Sequence, residues 1–252
     1  MFGTFKHLHA LTWAIAVATA GSALLHAGGA EARFILTLDS SATPGIDAII
    51  VDNMPVGTAT TVGPSTRADG GPAAGTIQFL GPLPGSGFVV NLMFGSSKPA
   101  LGPATMDLNI ISIRAGSGSE TLTIKLTDTD FDDHAHELIG MIAGDSFGGT
   151  LTAQGAIDSD NVEFGAGESL LFEPFSGLFA SNGVVDFPSF VGPFSLTQIV
   201  TIALTSVGTA EFDFKLLPVP DPTFLKVPEP TSLALLGLGL AGLSVMRRRR
   251  AA

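Results

Sequence analysis

The strongest indication of fold in this chain is the alternating stretch Thr121-Leu122-Thr123-Ile124-Lys125-Leu126-Thr127. Successive side chains of a β-strand point to opposite faces, so leucine and isoleucine share one face here and threonine and lysine share the other. Glu211-Phe212-Asp213-Phe214-Lys215 repeats this pattern with two phenylalanines on the apolar face. Such alternation predicts antiparallel strands that bury one face and leave the other in water.

Outward from this stretch, short apolar runs recur between clusters of Gly, Pro, Ser and Asp. The nine predicted strands are Phe34–Leu38, Ala48–Val51, Thr76–Leu80, Phe88–Phe94, Met106–Ile113, Thr121–Thr127, Gly149–Ile157, Thr197–Ser206 and Glu211–Leu217. Short strands with regular turn signals predict an all-β domain, an antiparallel β-sandwich of jelly-roll type over residues 33–217. We expect Asp52–Gly75, rich in Thr, Gly and Pro, to form an exposed loop. Asp132–Ala143 also fits one face of a short helix.

Residues 1–32 have the layout of a secretory signal peptide. Lys6 precedes an apolar stretch from Leu11 to Leu25, and Ala30 and Ala32 frame a small-residue cleavage site. We therefore expect a signal helix that is removed, and a mature chain that begins at Arg33 outside the inner membrane.

The other end of the chain predicts a membrane helix. Five prolines in residues 218–230 indicate an extended linker. Residues 231–252 follow it, with an uncharged run from Ser232 to Met246 that would make a helix of about 22 Å, short of the roughly 30 Å hydrocarbon core. The positive-inside rule keeps the terminal arginines in the cytoplasm. This geometry suits a transient anchor that is later removed.

The tail resembles the PEP-CTERM sorting signal of Gram-negative bacteria, a motif also known as the ice-binding protein C-terminal domain. The resemblance rests on a proline-framed glutamate, a glycine-rich span and terminal arginines in that order: Val227, Pro228, Glu229, Pro230, Arg247, Arg248, Arg249 and Arg250. It implies recognition by an exosortase, a membrane cysteine transpeptidase, and an association with exopolysaccharide and biofilm. It covers only the tail and implies no activity for the domain in front of it.

Composition excludes several classes of function. Cysteine is absent, which excludes disulfides, thiolate metal sites and cysteine nucleophiles. Residues 33–229 contain 22 acidic and 7 basic side chains, a net charge of about −15 against −11 for the whole chain. So negative a surface repels nucleic acid and anionic lipid headgroups. No nucleic-acid partner is expected.

The acidic run Asp128-Thr129-Asp130-Phe131-Asp132-Asp133 places carboxylates at alternate positions, as a calcium loop does. The EF-hand pattern then fails, because Asp133 stands at the glycine position and Ile139 stands at the bidentate glutamate position. No cofactor is expected by default, and a looser calcium site at Asp128, Asp130 and Asp132 stays open as an alternative.

Two further motifs suggest chemistry. Gly144-Asp145-Ser146-Phe147-Gly148-Gly149 fits the G-x-S-x-G pattern of hydrolases, but no histidine follows it in the sequence, so we interpret it as a glycine-rich turn. His134, His136 and Glu137 are too few for a familiar zinc site. Threonines such as Thr58, Thr60 and Thr61 show no fixed repeat that would indicate an ice-binding face.

These observations predict a non-enzymatic exported protein of structural or adhesive type, sorted to the cell surface or extracellular matrix and held for a time in the membrane. A calcium-dependent carbohydrate-binding module is the alternative, and a serine hydrolase at Ser146 is a weaker one. Tyrosine is absent and Trp13 leaves with the signal peptide, so phenylalanine supplies any aromatic platform.

Overall fold

Ten β-strands make up the structure, a computed structural model that describes residues 33–52, 66–67, 69–71, 73–101, 105–115, 119–132, 134–190 and 192–220. The strands are β1 (Ile35–Ser40), β2 (Ala48–Val51), β3 (Thr66–Arg67), β4 (Thr76–Pro82), β5 (Phe88–Ser96), β6 (Met106–Ala115), β7 (Glu120–Phe131), β8 (Ala135–Asp158), β9 (Glu168–Asp186) and β10 (Phe194–Pro220). No helix occurs in these ranges. The predicted signal helix and C-terminal helix lie outside them.

All ten strands belong to one hydrogen-bonded sheet, in which every pair is antiparallel except β2 with β3. The long strand β10 organises it. Residues 194–204 of β10 pair with β7 on one edge, and residues 209–216 pair with β6 on that same side. Strand β8 follows the other edge of β10 along both halves, and β9 lies beyond β8. The predicted all-β antiparallel class is confirmed.

The sheet folds over on itself around one apolar core. Phe172, near the start of β9, packs edge-on against Phe214, near the end of β10, with ring centroids 5.6 Å apart. The side chain of Leu216 lies against Gly155, a position where a Cβ would collide with it. The two packed layers are therefore halves of one continuous, nearly closed sheet, and the predicted jelly-roll sandwich is corrected to this barrel-like arrangement.

Glycines allow the long strands to bend. Gly148 has a φ of 69°, a conformation that side chains with a Cβ rarely adopt. A Cβ at Gly149 would overlap the backbone oxygen of Ala203 on β10. The register of β8 with β10 shifts between Leu204 and Thr209. The prediction of a glycine-rich turn at residues 144–149 is therefore corrected, because these residues form a bend within the single strand β8.

The alternating stretches bury their apolar faces as expected, whereas Thr127, predicted on the solvated face of β7, is also fully buried. Leu122, Ile124 and Leu126 are fully buried in β7, and Phe212 and Phe214 are buried in β10. Other expectations need correction. The two last predicted strands are one strand that continues to Pro220, the helical alternative for Asp132–Ala143 is wrong because β8 occupies most of that range, and β9 was not predicted. The expected loop at Asp52–Gly75 contains the short β3, while residues 53–65 lie outside the described ranges.

Candidate functional site

The outward face of β6, β10, β8 and β9 carries two rows of polar and small side chains. Strand pairing sets these rows, since residues opposite one another on neighbouring strands point to the same face. The first row is Asn109, Asp213, Ala143 and Ala180, and the second is Asp107, Lys215, Met141 and Asn182. The face therefore places two carboxyl groups, one ammonium group and two amides beside exposed methyl and thioether groups.

Asp107, Asp213 and Lys215 form the charged centre of this face. Lys215 Nζ lies 3.4 Å from Asp107 Oδ2, and both side chains are largely shielded from water. Burial of Asp107, then its hydrogen bond to Asp213 and the negative charge of that residue, raise the pKa of Asp107 to about 6, while Lys215 acts in the opposite direction. The carboxyl group of Asp107 consequently loses its proton in the mildly acidic range.

A shallow cleft of about 380 Å³ opens beside this centre. Its lining combines apolar and polar groups: Met141, Ile142, Ala143, Ala180, Ser181, Asn182, Asp213 and Lys215. Carboxylate oxygens accept hydrogen bonds, the ammonium donates them, and an amide does both. Apolar surface with a few convergent polar groups is the usual make-up of a small-molecule site.

Asp128 lies in a buried ion pair. Its Oδ2 atom accepts hydrogen bonds from Ser97 Oγ at 2.6 Å and from Lys98 Nζ at 3.1 Å. Lys98 also donates to the backbone oxygen of Thr129, and its ammonium stands 3.9 Å from the ring centroid of Phe131. These contacts give Asp128 a role in joining the loop after β5 to β7.

The other two aspartates of the calcium prediction point elsewhere. Asp130 has a φ of 60° and exchanges two hydrogen bonds with Asn161: its N–H donates to Asn161 Oδ1 at 2.8 Å, and Asn161 Nδ2 donates to Asp130 Oδ1 at 2.5 Å. Asp132 is exposed. Within the described ranges, no three His, Cys, Asp or Glu side chains are grouped so that they could hold a metal ion. The three aspartates are therefore not brought together as a ligand set.

The histidines are held by backbone oxygens. His136 Nδ1 is 3.1 Å from the oxygen of Val219, and His134 Nδ1 is 3.4 Å from that of Phe190. Both side chains are half-buried. These contacts attach the start of β8 to its neighbours.

Ser146 is buried within the bend of β8, opposite Ala210 of β10 and Gly177 of β9. Its Oγ atom has no hydrogen-bond partner among the described residues. A serine nucleophile needs a base within hydrogen-bond reach, and none of the described residues supplies one to Ser146. The small side chain instead fits the crowded bend.

The sequence predicted only some of the residues on this outward face. The alternation of Glu211–Lys215 correctly placed Asp213 and Lys215 on the wet face. Asp107 could not be joined to them, because its proximity depends on the pairing of β6 with β10, strands about a hundred residues apart in the chain.

Solved structures resemble this chain weakly. TmCBM61 in complex with beta-1,4-galactotriose has a TM-score of 0.30 and 15% identity, and the match covers 45% of this chain and 71% of that chain. The enzymatically active domain of bacteriophage CBA120 tailspike protein 4 has a TM-score of 0.30 at 11% identity, covering 73% and 19%. Isomalto-dextranase of Arthrobacter globiformis T6 complexed with panose has a TM-score of 0.22 at 13% identity, covering 56% and 23%. At these TM-scores none of them bears on the function of this chain.

Sequence comparison is informative at one end only. No curated protein matches the chain. In the described part of the chain, no helix has the length and apolar character needed to cross a membrane. The family model for the PEP-CTERM protein-sorting motif matches residues 226–250, a range that includes every predicted sorting residue and lies outside the described structure. This chain thus carries a PEP-CTERM protein-sorting motif, which implies recognition by an exosortase, membrane anchoring, and export to the cell surface or beyond.

Proposed function

We propose that this chain is a non-enzymatic structural or adhesive protein of the cell surface or extracellular matrix, associated with exopolysaccharide or biofilm. The observation that carries the proposal is the sorting motif at residues 226–250, which begins shortly after β10 ends at Pro220. In this arrangement the exosortase acts on a proline-framed segment next to a completed β-domain. Removal of the tail leaves a domain without the apolar run and the four arginines.

Intact-mass measurement in a host with a working exosortase tests this proposal. The wild-type protein is expected at the surface or in the medium with a mass that lacks residues 1–32 and part of 227–252. A variant with Glu229→Ala and Pro230→Ala should keep its full tail and remain with the membrane. The matched control, Pro218→Ala, changes a proline ahead of the motif and should be processed normally. Unchanged processing and location in a variant lacking residues 227–252 would contradict the proposal.

A second candidate function is carbohydrate binding at the outward cleft. The observation in its favour is the mixture of hydrogen-bonding groups and exposed apolar groups on one flat face, centred on Asp213, Lys215, Asn182 and Met141. Sugar hydroxyls bind to carboxylates and amides, and the C–H faces of a sugar ring pack on apolar surface. A neutral or amino-substituted polysaccharide fits better than an acidic one, because the chain is itself negatively charged.

Affinity electrophoresis in gels that contain the host's exopolysaccharide tests this second candidate. Asp213→Asn and Asn182→Ala should each weaken retardation of the protein at least about tenfold in dissociation constant, the effect of losing about 1.4 kcal/mol. Asp160→Asn, in an exposed turn, is the matched control. A chelator in a parallel gel decides the predicted calcium dependence. Equal retardation of all variants would exclude this cleft as the site.

A further inference from the structure

One edge of β9 has no paired strand among the residues that the structure describes. Strand β9 pairs with β8 along one side, and no strand or loop of the described ranges hydrogen-bonds to the other side. Strand β4 at the opposite end of the sheet differs, because Gly70 N–H donates to the Gln78 oxygen and Gln78 N–H donates to Asp69 Oδ1. The described residues therefore cover the free edge of β4 and leave that of β9 without a hydrogen-bonded neighbour.

The second half of β9 lacks the features that protect open edges. Natural edge strands carry charged side chains, especially lysine, or proline, which prevent another strand from pairing with them. Residues 177–185, Gly-Leu-Phe-Ala-Ser-Asn-Gly-Val-Val, contain neither charge nor proline. Glu173 and Pro174 precede this segment and Asp186 follows it. On a protein with a net charge of −11, such a neutral segment is where two copies can approach.

The side chains of this neutral segment are also complementary to those of a second copy paired antiparallel with it. In an antiparallel pair of identical strands centred on Ser181, Leu178 of one copy lies opposite Val184 of the other, and the same pair occurs again by symmetry. Leu178 is 89% exposed and Val184 is 52% exposed, and both point outward. The same register sets Phe179 opposite Gly183 on the inner face. The ring of Phe179 thus lies opposite a residue that has no side chain.

The inner face gives a second reason for an added strand. Phe175, Phe179 and Val185 pack against the core but stay only half-buried, and none of the ten described strands lies beyond them. The rings of Phe175 and Phe179 stack with centroids 4.5 Å apart. A neighbouring strand would shield these rings from water, and burial of apolar surface favours association.

We propose that residues 177–185 of β9 form an interface between two copies of this chain, paired antiparallel about a twofold axis through Ser181 that is perpendicular to the sheet. The pair joins two ten-stranded sheets into one and covers Leu178 and Val184. Nine residues from each copy bury less than the roughly 1,200 Å² of a standard stable interface, so the dimer forms at micromolar rather than nanomolar concentrations. This inference does not depend on how the tail is processed or on whether the cleft binds sugar.

Sedimentation velocity of the full chain, in mild detergent because of its apolar tail, tests the interface. The wild-type protein should change from monomer to dimer between about 1 and 100 μM, a span around the micromolar dissociation constants of weak interfaces. Leu178→Lys should raise the dissociation constant at least about tenfold, since it sets two lysines on the paired strands. Leu171→Lys, at a residue that is 72% exposed on the first half of β9, is the matched control and should leave dimerisation unchanged. A wild-type monomer throughout this range, or a dimer that survives Leu178→Lys, would overturn the proposal.

A cysteine placed at the axis tests the register. The chain contains no cysteine, so Ser181→Cys introduces a single thiol per copy. Paired residues of antiparallel strands have Cα atoms about 4.5–5.5 Å apart, within disulfide range. Mild oxidation should therefore convert this variant to a covalent dimer, while Glu168→Cys at the start of β9 should stay monomeric. Equal cross-linking of both variants, or of neither, would contradict the register. If a segment of the same chain covers β9 instead, neither variant cross-links and the protein stays monomeric.

Discussion

Gln198 Nε2 donates a hydrogen bond of 2.7 Å to the backbone oxygen of Phe214, a residue on the same strand sixteen positions later. A straight strand of that length would separate the two residues by about 50 Å. The bond therefore ties the first half of β10 to the second half across the core. Gln198 is fully buried, so this polar contact lies between the two layers of the folded sheet.

Replacing Gln198 with alanine should destabilise the protein by about 2–4 kcal/mol, because the change removes a buried hydrogen bond and leaves a cavity between the layers. Urea denaturation measures the loss as a lower midpoint. Gln154→Ala, on the half-buried outer side of β8, is the control and should cost less than about 1 kcal/mol. Similar losses for both would show that Gln198 does not join the layers.

Gly149→Ala should destabilise the bend by about 2 kcal/mol or more. The added Cβ would overlap the backbone oxygen of Ala203, so β8 and β10 would have to separate locally. Hydrogen exchange should show the loss of protection concentrated at residues 147–151 and 203–209. The neighbouring change Thr150→Ala, at an exposed side chain, should alter stability by less than about 0.5 kcal/mol.

Lys98→Ala should cost about 3–5 kcal/mol, because it leaves the Asp128 carboxylate buried without its partner charge. The exposed pair of Arg33 and Glu163, at 2.7 Å, supplies the control, and Arg33→Ala should cost less than about 1 kcal/mol. Thermal unfolding of the two variants makes the comparison. A loss that added calcium reverses would instead indicate a metal site at Asp128.

Asp107 should make stability depend on pH. Its pKa is about 6 in the folded protein against 3.8 normally, so the folded state holds the proton more tightly than the unfolded state. Its contribution to stability is therefore fully present below pH 4 and is lost as the pH rises towards 6. The free energy of unfolding of Asp107→Asn, relative to that of wild type, should therefore rise by about 1–3 kcal/mol as the pH increases from 4 to 7. Urea denaturation at each pH measures this difference.

Asp160→Asn is the control for this pH series, since the residue lies in an exposed turn. Its difference from wild type should stay constant across the same range. A constant difference for Asp107→Asn as well would mean that the pKa of Asp107 is not raised.

Local patterns predicted most of the fold, and long-range pairing explains what they missed. The alternation in β7 needs no knowledge of its neighbours, because one face meets the core along the whole strand. Strand β9 was missed because its sequence contains Gly and Ser and places apolar residues on both faces, so it shows no polar–apolar alternation. The gap between the predicted strands Thr197–Ser206 and Glu211–Leu217 is instead the place where the register of β10 shifts within one strand.

Long-range strand pairing also explains why the sequence predicted only part of the candidate cleft. The sequence placed Asp213 and Lys215 on a solvated face, but a strand pattern carries no register. Which residues lie opposite them is decided by β6 and β8, which arrive from other parts of the chain. The predicted calcium ligands do not lie together for a related reason. The carboxylate of Asp128 is buried and accepts hydrogen bonds from Ser97 and Lys98.

The position of β10 has a consequence for the order of folding. Strands β6, β7 and β8 each depend on β10 for a hydrogen-bonded neighbour, and β10 is the last strand of the described chain. Contacts between distant parts of a sequence form late and slowly. During export the domain therefore stays incomplete until residue 220 has emerged, and folding ends at the point in the chain where the sorting motif follows. The sheet can therefore be completed only when the sorting motif is the next segment of the chain to emerge.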